Sequence, residues 1–501
     1  MNLSRREFLT RAAVASSLGA AATALGSASA APAANIAPPV RPPNILYIIM
    51  EDIGPQLGCY GEPLVQTPHV DRFAAQGIRF SNAFSCAPVC SASRSALMTG
   101  CYQTSIGCHQ HRTWHWNKRP LPDPTRHICD WFRAAGYFTC NLMPTADKLR
   151  NARFRLNGAR GSGKLDLNFT VTSPAPGDPF DGNDWNQRRT DQPFFAHITL
   201  IETHHASGGW KVARRQPPAE LVDPDRVKLA PYYPDHPVAR DEYANYLDAI
   251  HLSDGYVGEM LDRLIQEGLA ENTIVVLSSD HGPLFRGKQF CYDNGLRIPL
   301  IVRFPDGRKA GTVEDRLVSG IDLAPTFLGF AGITAPPGAM QGCDIFDSNV
   351  APRTEIFAAR DRMDTSIDRM RVVRTERFKY IRNYLPAIPY MQPNQYKELN
   401  YPTWNLVKRL KREGKLTPEA ALFAADLKPI EELFEITADP SEVRNLAANA
   451  AHAATLKKMR SRVDAWVKNT DRGTSYEDPV DIYRGYWNHL PEDPPALKKS
   501  E

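Results

Sequence analysis

Asn44, Ile45, Leu46, Tyr47, Ile48, Ile49 and Met50 form an almost continuous apolar run that stops abruptly at Glu51, Asp52, Ile53 and Gly54. A strand with one wet face alternates apolar and polar residues, whereas a strand covered by helices on both faces stays apolar throughout. The run therefore predicts a parallel strand inside an α/β sheet. Two carboxylates at its C-terminal end stand where open α/β sheets build their sites. The pattern recurs twice. Residues 193–201 are apolar around one histidine and end in Glu202, Thr203, His204 and His205, and residues 272–279 end in Asp280, His281 and Gly282. Between these runs the spacing predicts helices over 128–135 and 240–268 and a strand over 137–143.

Cys90 follows Pro88 by two residues and opens a stretch with helical spacing that carries Arg94 four places on. Backbone N–H groups at a helix start and a guanidinium one turn later are placed to face an anion together. Most lone cysteines are core residues, but the residues around this one argue for a nucleophile. Cys90, Ala92 and Arg94, followed by Thr99 and Gly100, resemble the signature of the type I sulfatases, C-x-P-x-R with Thr-Gly beyond; Ala92 stands where that pattern has proline.

The resemblance implies that a formylglycine-generating enzyme oxidises Cys90 to formylglycine. Its hydrate is a geminal diol: one hydroxyl attacks sulfur, and the other later expels sulfate by re-forming the C=O bond, which serine or a thiol cannot do. A metal beside it would lower the diol's pKa. In the family an acidic pair after the first strand and Asp-Asn-Gly or Asp-His-Gly after a later one hold the cation. This implies Glu51, Asp52, Asp280, His281 and the derivative of Cys90 as ligands. Three carboxylates favour one Ca2+ per chain over zinc, with His281 suited to orienting the diol. Residues 58–71, with Thr67, Pro68, His69 and Asp71, also resemble the family's first loop and helix.

Arg94 would steady the diol. Lys288, in Gly287-Lys288 ahead of Gly295, Arg297 and Pro299, matches the family's Gly-Lys…Gly-x-Arg-x-Pro and would neutralise a sulfate oxygen. Many relatives follow the strand near 137–143 with Lys-x-His, which is missing here. Lys164, flanked by Gly163 and followed by Asp166, Asn168 and Phe169, is the replacement, with Lys148 as its rival. His204, in Thr203-His204-His205-Ala206-Ser207, is assigned as general acid because imidazole titrates near the working pH. His109 and His111, clustered after Gly107, are assigned to face the substrate.

The implied fold is α/β: an alkaline-phosphatase-like large mixed sheet flanked by helices, with a smaller C-terminal α+β subdomain. Residues 1–30 read as a twin-arginine signal peptide, with Arg5 and Arg6 before an Ala-rich stretch and Ala28-Ser29-Ala30 at a cleavage site. Residues 31–43 are a Pro/Ala-rich lead-in, 44–349 the catalytic domain and 350–501 the C-terminal subdomain. In the latter, short strands near 355–359, 370–374 and 378–382 precede Leu433-Phe434-Glu435-Ile436. The signal implies the export machinery as partner and a periplasmic or secreted destination, with no membrane span in the mature protein.

A net charge of +4 on 501 residues, with no basic block, excludes nucleic acid as a partner. Nine cysteines match no zinc framework. The expected function is hydrolysis of a sulfate ester or sulfamate, the loop resemblance leaning toward the N-sulfoglucosamine sulfohydrolase branch and a sulfated sugar. The alternatives are a phosphodiester or phosphonate hydrolase on the same fold, and a sugar-binding pseudoenzyme.

Overall fold

The computed structural model describes residues 41–113, 118–142, 163–207 and 209–471. The twin-arginine segment and Lys148 lie outside the described residues.

The run after the lead-in forms β1 (Asn44–Met50), every residue of it buried. The elements that follow are α1 (Pro68–Ala75), β2 (Ile78–Phe84), α2 (Cys90–Leu97), α3 (Ile128–Ala134), β3 (Phe138–Leu142), β4 (Phe194–Leu200), α4 (Gly209–Ala213), α5 (Pro237–Gln266) and β5 (Thr273–Ser278). Then come α6 (Asp293–Leu296), β6 (Arg297–Arg303), β7 (Thr312–Ser319) and α7 (Leu323–Phe330). Among the described residues the large sheet has the order β3-β4-β1-β5-β6-β2-β7. It is mixed: β1 runs parallel to both β4 and β5, whereas β6 runs antiparallel to β5 and β2.

Why β1 is apolar throughout is visible in its packing. Leu46, Ile48 and Met50 join one core with Val70 and Phe73 of α1 and with Leu247, Ile250 and Leu264 of α5. Ile45, Tyr47 and Ile49 join the other with Ile128 and Phe132 of α3 and Phe327 of α7. Each such side chain contributes roughly 1.5–3 kcal/mol on burial, so a polar residue on either face would cost the sheet its place between the helix layers. The register aligns Met50 with Leu200 and Ile49 with Ser278. Glu51 N–H continues the pairing to the Leu200 carbonyl at 3.0 Å. The residues after β4, β1 and β5 therefore emerge side by side at one edge of the sheet.

A second, antiparallel sheet has the order β11-β10-β9-β8, from β8 (Ile356–Arg360), β9 (Met370–Arg374), β10 (Phe378–Asn383) and β11 (Glu431–Glu435). Helices α8 (Gln395–Asn400) and α9 (Pro402–Arg412) lie between β10 and β11. A later helix, Ala453–Thr470, packs Met459 and Val463 against Val373 and Tyr380. Helix α5 starts at Pro237, because His236 Nδ1 accepts the Val238 N–H and proline suits the first helical turn. Strand β11 starts at Glu431, because pairing with β10 sets Glu431 opposite Arg382. All nine cysteines are free thiols. Among the described residues no helix is long and apolar enough to cross a membrane.

Candidate active site

Helix α2 begins at Cys90 directly after Val89, whose backbone is extended, and all eight of its residues are buried. Its helical turn brings Arg94 back toward the sheet edge. There Nε donates to Asp280 Oδ2 at 3.0 Å and Nη1 to Thr199 Oγ1 at 2.9 Å, with Nη2 3.8 Å from Glu51. The anions this guanidinium meets are thus carboxylates of the protein, and Arg94 ties the ends of β1, β4 and β5 to the helix. One residue earlier, Ser93 Oγ donates to the Asp280 carbonyl at 2.5 Å.

Cys90 Sγ lies 3.3 Å from His281 Nε2 and 3.8 Å from Asp52 Oδ1, and accepts from Lys288 Nζ at 3.5 Å. Burial pushes the thiol well above its ordinary range, against the pull of Lys288. An unmodified thiol here stays protonated and is a weak nucleophile.

The strand-edge wall is acidic. Asp280 Oδ1 accepts the N–H groups of Asp52 and His281, each at 3.1 Å. Burial alone would raise this carboxyl, but His281, Arg94 and Lys164 hold it well below the usual carboxylate range. Asp52 Oδ2 accepts from Lys288 Nζ at 2.7 Å. Lys164 Nζ contacts Glu51, whose two oxygens otherwise lack hydrogen-bond partners among the described residues.

This donor set fits a cation. His281 Nδ1 lies 2.9 Å from the Gly282 carbonyl, a contact that requires the N–H there and leaves a lone pair on Nε2. Burial lowers the imidazole's pKa, against Asp280 and Asp52. Nε2 lies 3.1 Å from Asp52 Oδ1, so a cation placed beside them would be within reach of both. Asp52, Cys90, Asp280 and His281 each offer an atom within 4.8 Å of the others, as do Glu51, Asp52, Cys90 and His204.

The opposite wall is made by loops. Cys90, His111 and Asp166 also offer atoms mutually within 4.8 Å. His111 Nδ1 pairs with Asp364 Oδ1 at 3.0 Å, while its buried Nε2 has no partner among the described residues. Burial lowers the His111 pKa, against Asp364. Asp166 sits 3.5 Å from Arg112 Nε and 4.0 Å from Lys164 Nζ. Burial opposes its ionisation, but Arg112 and Lys164 hold it well below the usual carboxylate range. Burial pushes Lys164 down to about 8. Tyr396 closes this side: its hydroxyl is 3.4 Å from His204 Nε2, and its ring centroid lies 5.1 Å from Lys288 Nζ. Burial, then Lys288 and Lys164, hold His204 well below its ordinary pKa. Asp52, Arg112, Asp166 and Asp364 all adopt left-handed backbone, with φ of 53, 52, 51 and 47°. Such conformations cost roughly 1–3 kcal/mol each and cluster at functional sites.

Of the residues singled out in the sequence, Glu51, Asp52, Cys90, Arg94, His111, Lys164, His204, Asp280, His281 and Lys288 thus meet in one cluster. His109 does not join them; the charges it faces are Asp361, Arg371 and Asp471. Among the described residues this segment is not part of a strand and bridges at His111, to Met363. Asp166, Arg112 and Tyr396 escaped assignment, whereas Asp364 closes the run 359–364, which the sequence offers as a substrate contact. Asp166 carried a signal, since in extended chain it shares a side with Lys164 two residues before it.

A mixed α/β sheet with a buried cysteine at a helix start, set between a carboxylate–imidazole wall and lysines, defines a hydrolase built to handle an anion. The Sulfatase family model matches residues 43–151 and 181–333, more than half of the chain, and the model for the N-sulphoglucosamine sulphohydrolase C-terminal region matches residues 280–390. An ulvan-active sulfatase of Formosa agariphila is 33% identical over 466 residues, 85% of this chain and 74% of that protein. Human N-sulphoglucosamine sulphohydrolase is 26% identical over 469 residues, 85% of this chain and 90% of that one. A structure solved in complex with its substrate, D-glucosamine-2-N,6-O-disulfate, superposes with a TM-score of 0.57 at 19% identity, covering 86% of this chain and 100% of that one. The chain belongs to the sulfatase family and is a sulfuric ester hydrolase.

Proposed function

We propose that this chain is an exported sulfatase acting on a sulfated sugar, with formylglycine formed from Cys90 and one Ca2+. The observation that carries the reading is the position of Cys90 between two kinds of group: Asp52, Asp280 and His281, suited to a cation, and Lys288 at 3.5 Å, suited to an anion. The inert character of the buried thiol supports the modification. The names of the two relatives, which act on ulvan and on N-sulphoglucosamine, support a sulfated sugar. Export rests on Arg5 and Arg6 in their sequence context.

Asp52, Asp280 and His281, with Glu51, would hold the calcium, which when bound would favour the ionised form of the attacking oxygen. Arg94 fixes Asp280 and Glu51 so that the carboxylates keep their positions as charge moves. Lys288 and Lys164 neutralise sulfate oxygens where charge builds in the transition state. His204 supplies a proton to the leaving oxygen. Burial, with Lys288 and Lys164 beside it, lowers its affinity for a proton in the free protein, and an arriving sulfate brings negative charge that raises it. His111, aligned by Asp364, stands beside residue 90 with an open Nε2 and is placed to accept a proton there.

The test is a steady-state comparison of 4-nitrophenyl sulfate with bis(4-nitrophenyl) phosphate, with the activity located by cell fractionation. The sulfate should be preferred in kcat/KM by about 100-fold or more, with the activity in the periplasm or medium. Preference for the phosphate would make the chain a phosphodiesterase. Binding of sulfated sugar by fully modified protein without turnover would make it a pseudoenzyme.

A further inference from the structure

The segment that carries Lys164 and Asp166 divides its side chains between three tasks. Leu165, Leu167 and Phe169 are buried in the core that also takes Ile106 and Cys108. Lys164 and Asp166 stay with the cluster, at Glu51 and Arg112. Asn168, 2% exposed, turns instead to the loop that carries His111. Its Nδ2 donates to the carbonyls of Cys108 at 3.0 Å and Gln110 at 2.6 Å, and its Oδ1 accepts the Thr113 N–H at 2.9 Å. Both amide hydrogens and one lone pair are thus spent on a single loop. The three backbone groups they reach bracket His111 in sequence.

The same residue ties that loop to the nucleophile's helix. Asn168 N–H donates to Ser95 Oγ at 2.9 Å, and Ser95 Oγ donates to the Ser91 carbonyl at 2.7 Å. Ser91, next to Cys90, accepts the Arg112 N–H on its Oγ at 2.8 Å. From the far side, His111 N–H donates to the Arg362 carbonyl at 2.8 Å, and the His111 ring meets Asp364. The loop is therefore held between α2, the 164–168 segment and the 360–364 segment, where His111 offers an atom within 4.8 Å of those of Cys90 and Asp166. Loss of the Asn168 amide would deprive two carbonyls and one N–H of this partner at once. A displacement of about 1 Å in a working group can cost roughly 100-fold in rate, so the clamp has leverage on the chemistry without touching the reacting atoms.

We propose that Asn168 is a positioning residue for sulfate-ester hydrolysis, one that clamps the 108–113 loop so that the His111 imidazole is held at residue 90. The proposal rests on the reading of His111 as proton acceptor and adds the group that aims it. The test is a double-mutant cycle on the full-length protein with 4-nitrophenyl sulfate, each kcat normalised to folded, formylglycine-bearing molecules. Asn168→Ala should lower kcat by about 10–100-fold, as loss of a group that orients a working one does, with KM unchanged. In the His111→Ala background the same substitution should cost less than about twofold, because the ring it aims is already gone. A role confined to stability would lower the unfolding temperature and leave the normalised kcat as it was, which overturns the proposal. A raised KM at unchanged kcat, or losses that multiply in full in the double variant, also overturn it. If Asn168→Ala does not fold, Asn168→Ser repeats the cycle, and failure of both to fold shows that the residue builds the fold instead of aiming the ring. Wild-type kcat in His111→Ala alone would fault the reading of His111 and this role with it; a loss there that multiplies with that of Asn168→Ala faults the positioning role alone.

Discussion

On one side of Cys90, Asp52 and Asp280 leave the ends of adjacent parallel strands whose register is set by paired backbones. On the other, His111 meets Asp364 across 253 residues of sequence, and Asp166 is held by Arg112 and Lys164 from separate loops. The first wall takes its position mainly from the sheet, each carboxylate following its strand directly, with Asp52 turning into left-handed backbone just past β1. The second takes its position from ion pairs and from left-handed turns at Arg112, Asp166 and Asp364. Position set by a sheet survives the loss of one side chain, but the charge it supplied is not replaced. Position set by a network is lost more gradually, because several partners share the task.

Two substitutions sharpen that contrast, the larger effect first. Asp280→Asn removes the charge that Arg94 pairs with at 3.0 Å and leaves that guanidinium buried and short of a partner. Breaking such a pair costs roughly 3–5 kcal/mol, and kcat/KM for 4-nitrophenyl sulfate should fall by about 1000-fold or more, with the loss of bound calcium measured on the same sample. Asp364→Asn keeps the shape beside His111 but removes the charge on its Nδ1 side. Removal of a partner that orients a working group typically costs about 10–100-fold, and calcium content should not change. Thermal unfolding of both variants confirms that the folded state is being compared. Equal losses, or calcium lost in Asp364→Asn, would break the distinction between the two walls.

The same contrast explains what was legible in the sequence. Strands β1, β4 and β5 announce themselves by runs apolar on both faces, which set Glu51 and Asp52 at a strand end where sites form, and the sulfatase resemblance singled out His204, Asp280 and His281 past the other two. Arg94 followed from helical spacing. Lys164 was reached by its glycine neighbour, although it falls in the gap between residues 151 and 181 left by the family match. Tyr396 carries no local mark: its role exists only where α8 meets the loop after β4, and the Tyr396–His204 contact spans 192 residues. His109 stands apart from the cluster for the converse reason. An alternation of two residues places side chains together only in a regular strand, and the charges around His109 are those of Asp361 and Arg371.

Everything proposed for the site rests on residue 90, because the two-hydroxyl chemistry needs an aldehyde where the sequence encodes a thiol. The direct measurement is mass spectrometry of the peptide containing Ser85 through Arg94, isolated from enzyme that turns over 4-nitrophenyl sulfate. Formylglycine at position 90 in a substantial fraction of molecules is the expected result, even with Ala92 in place of the proline of the common signature. Only unmodified cysteine at position 90 in turning-over enzyme would contradict the account.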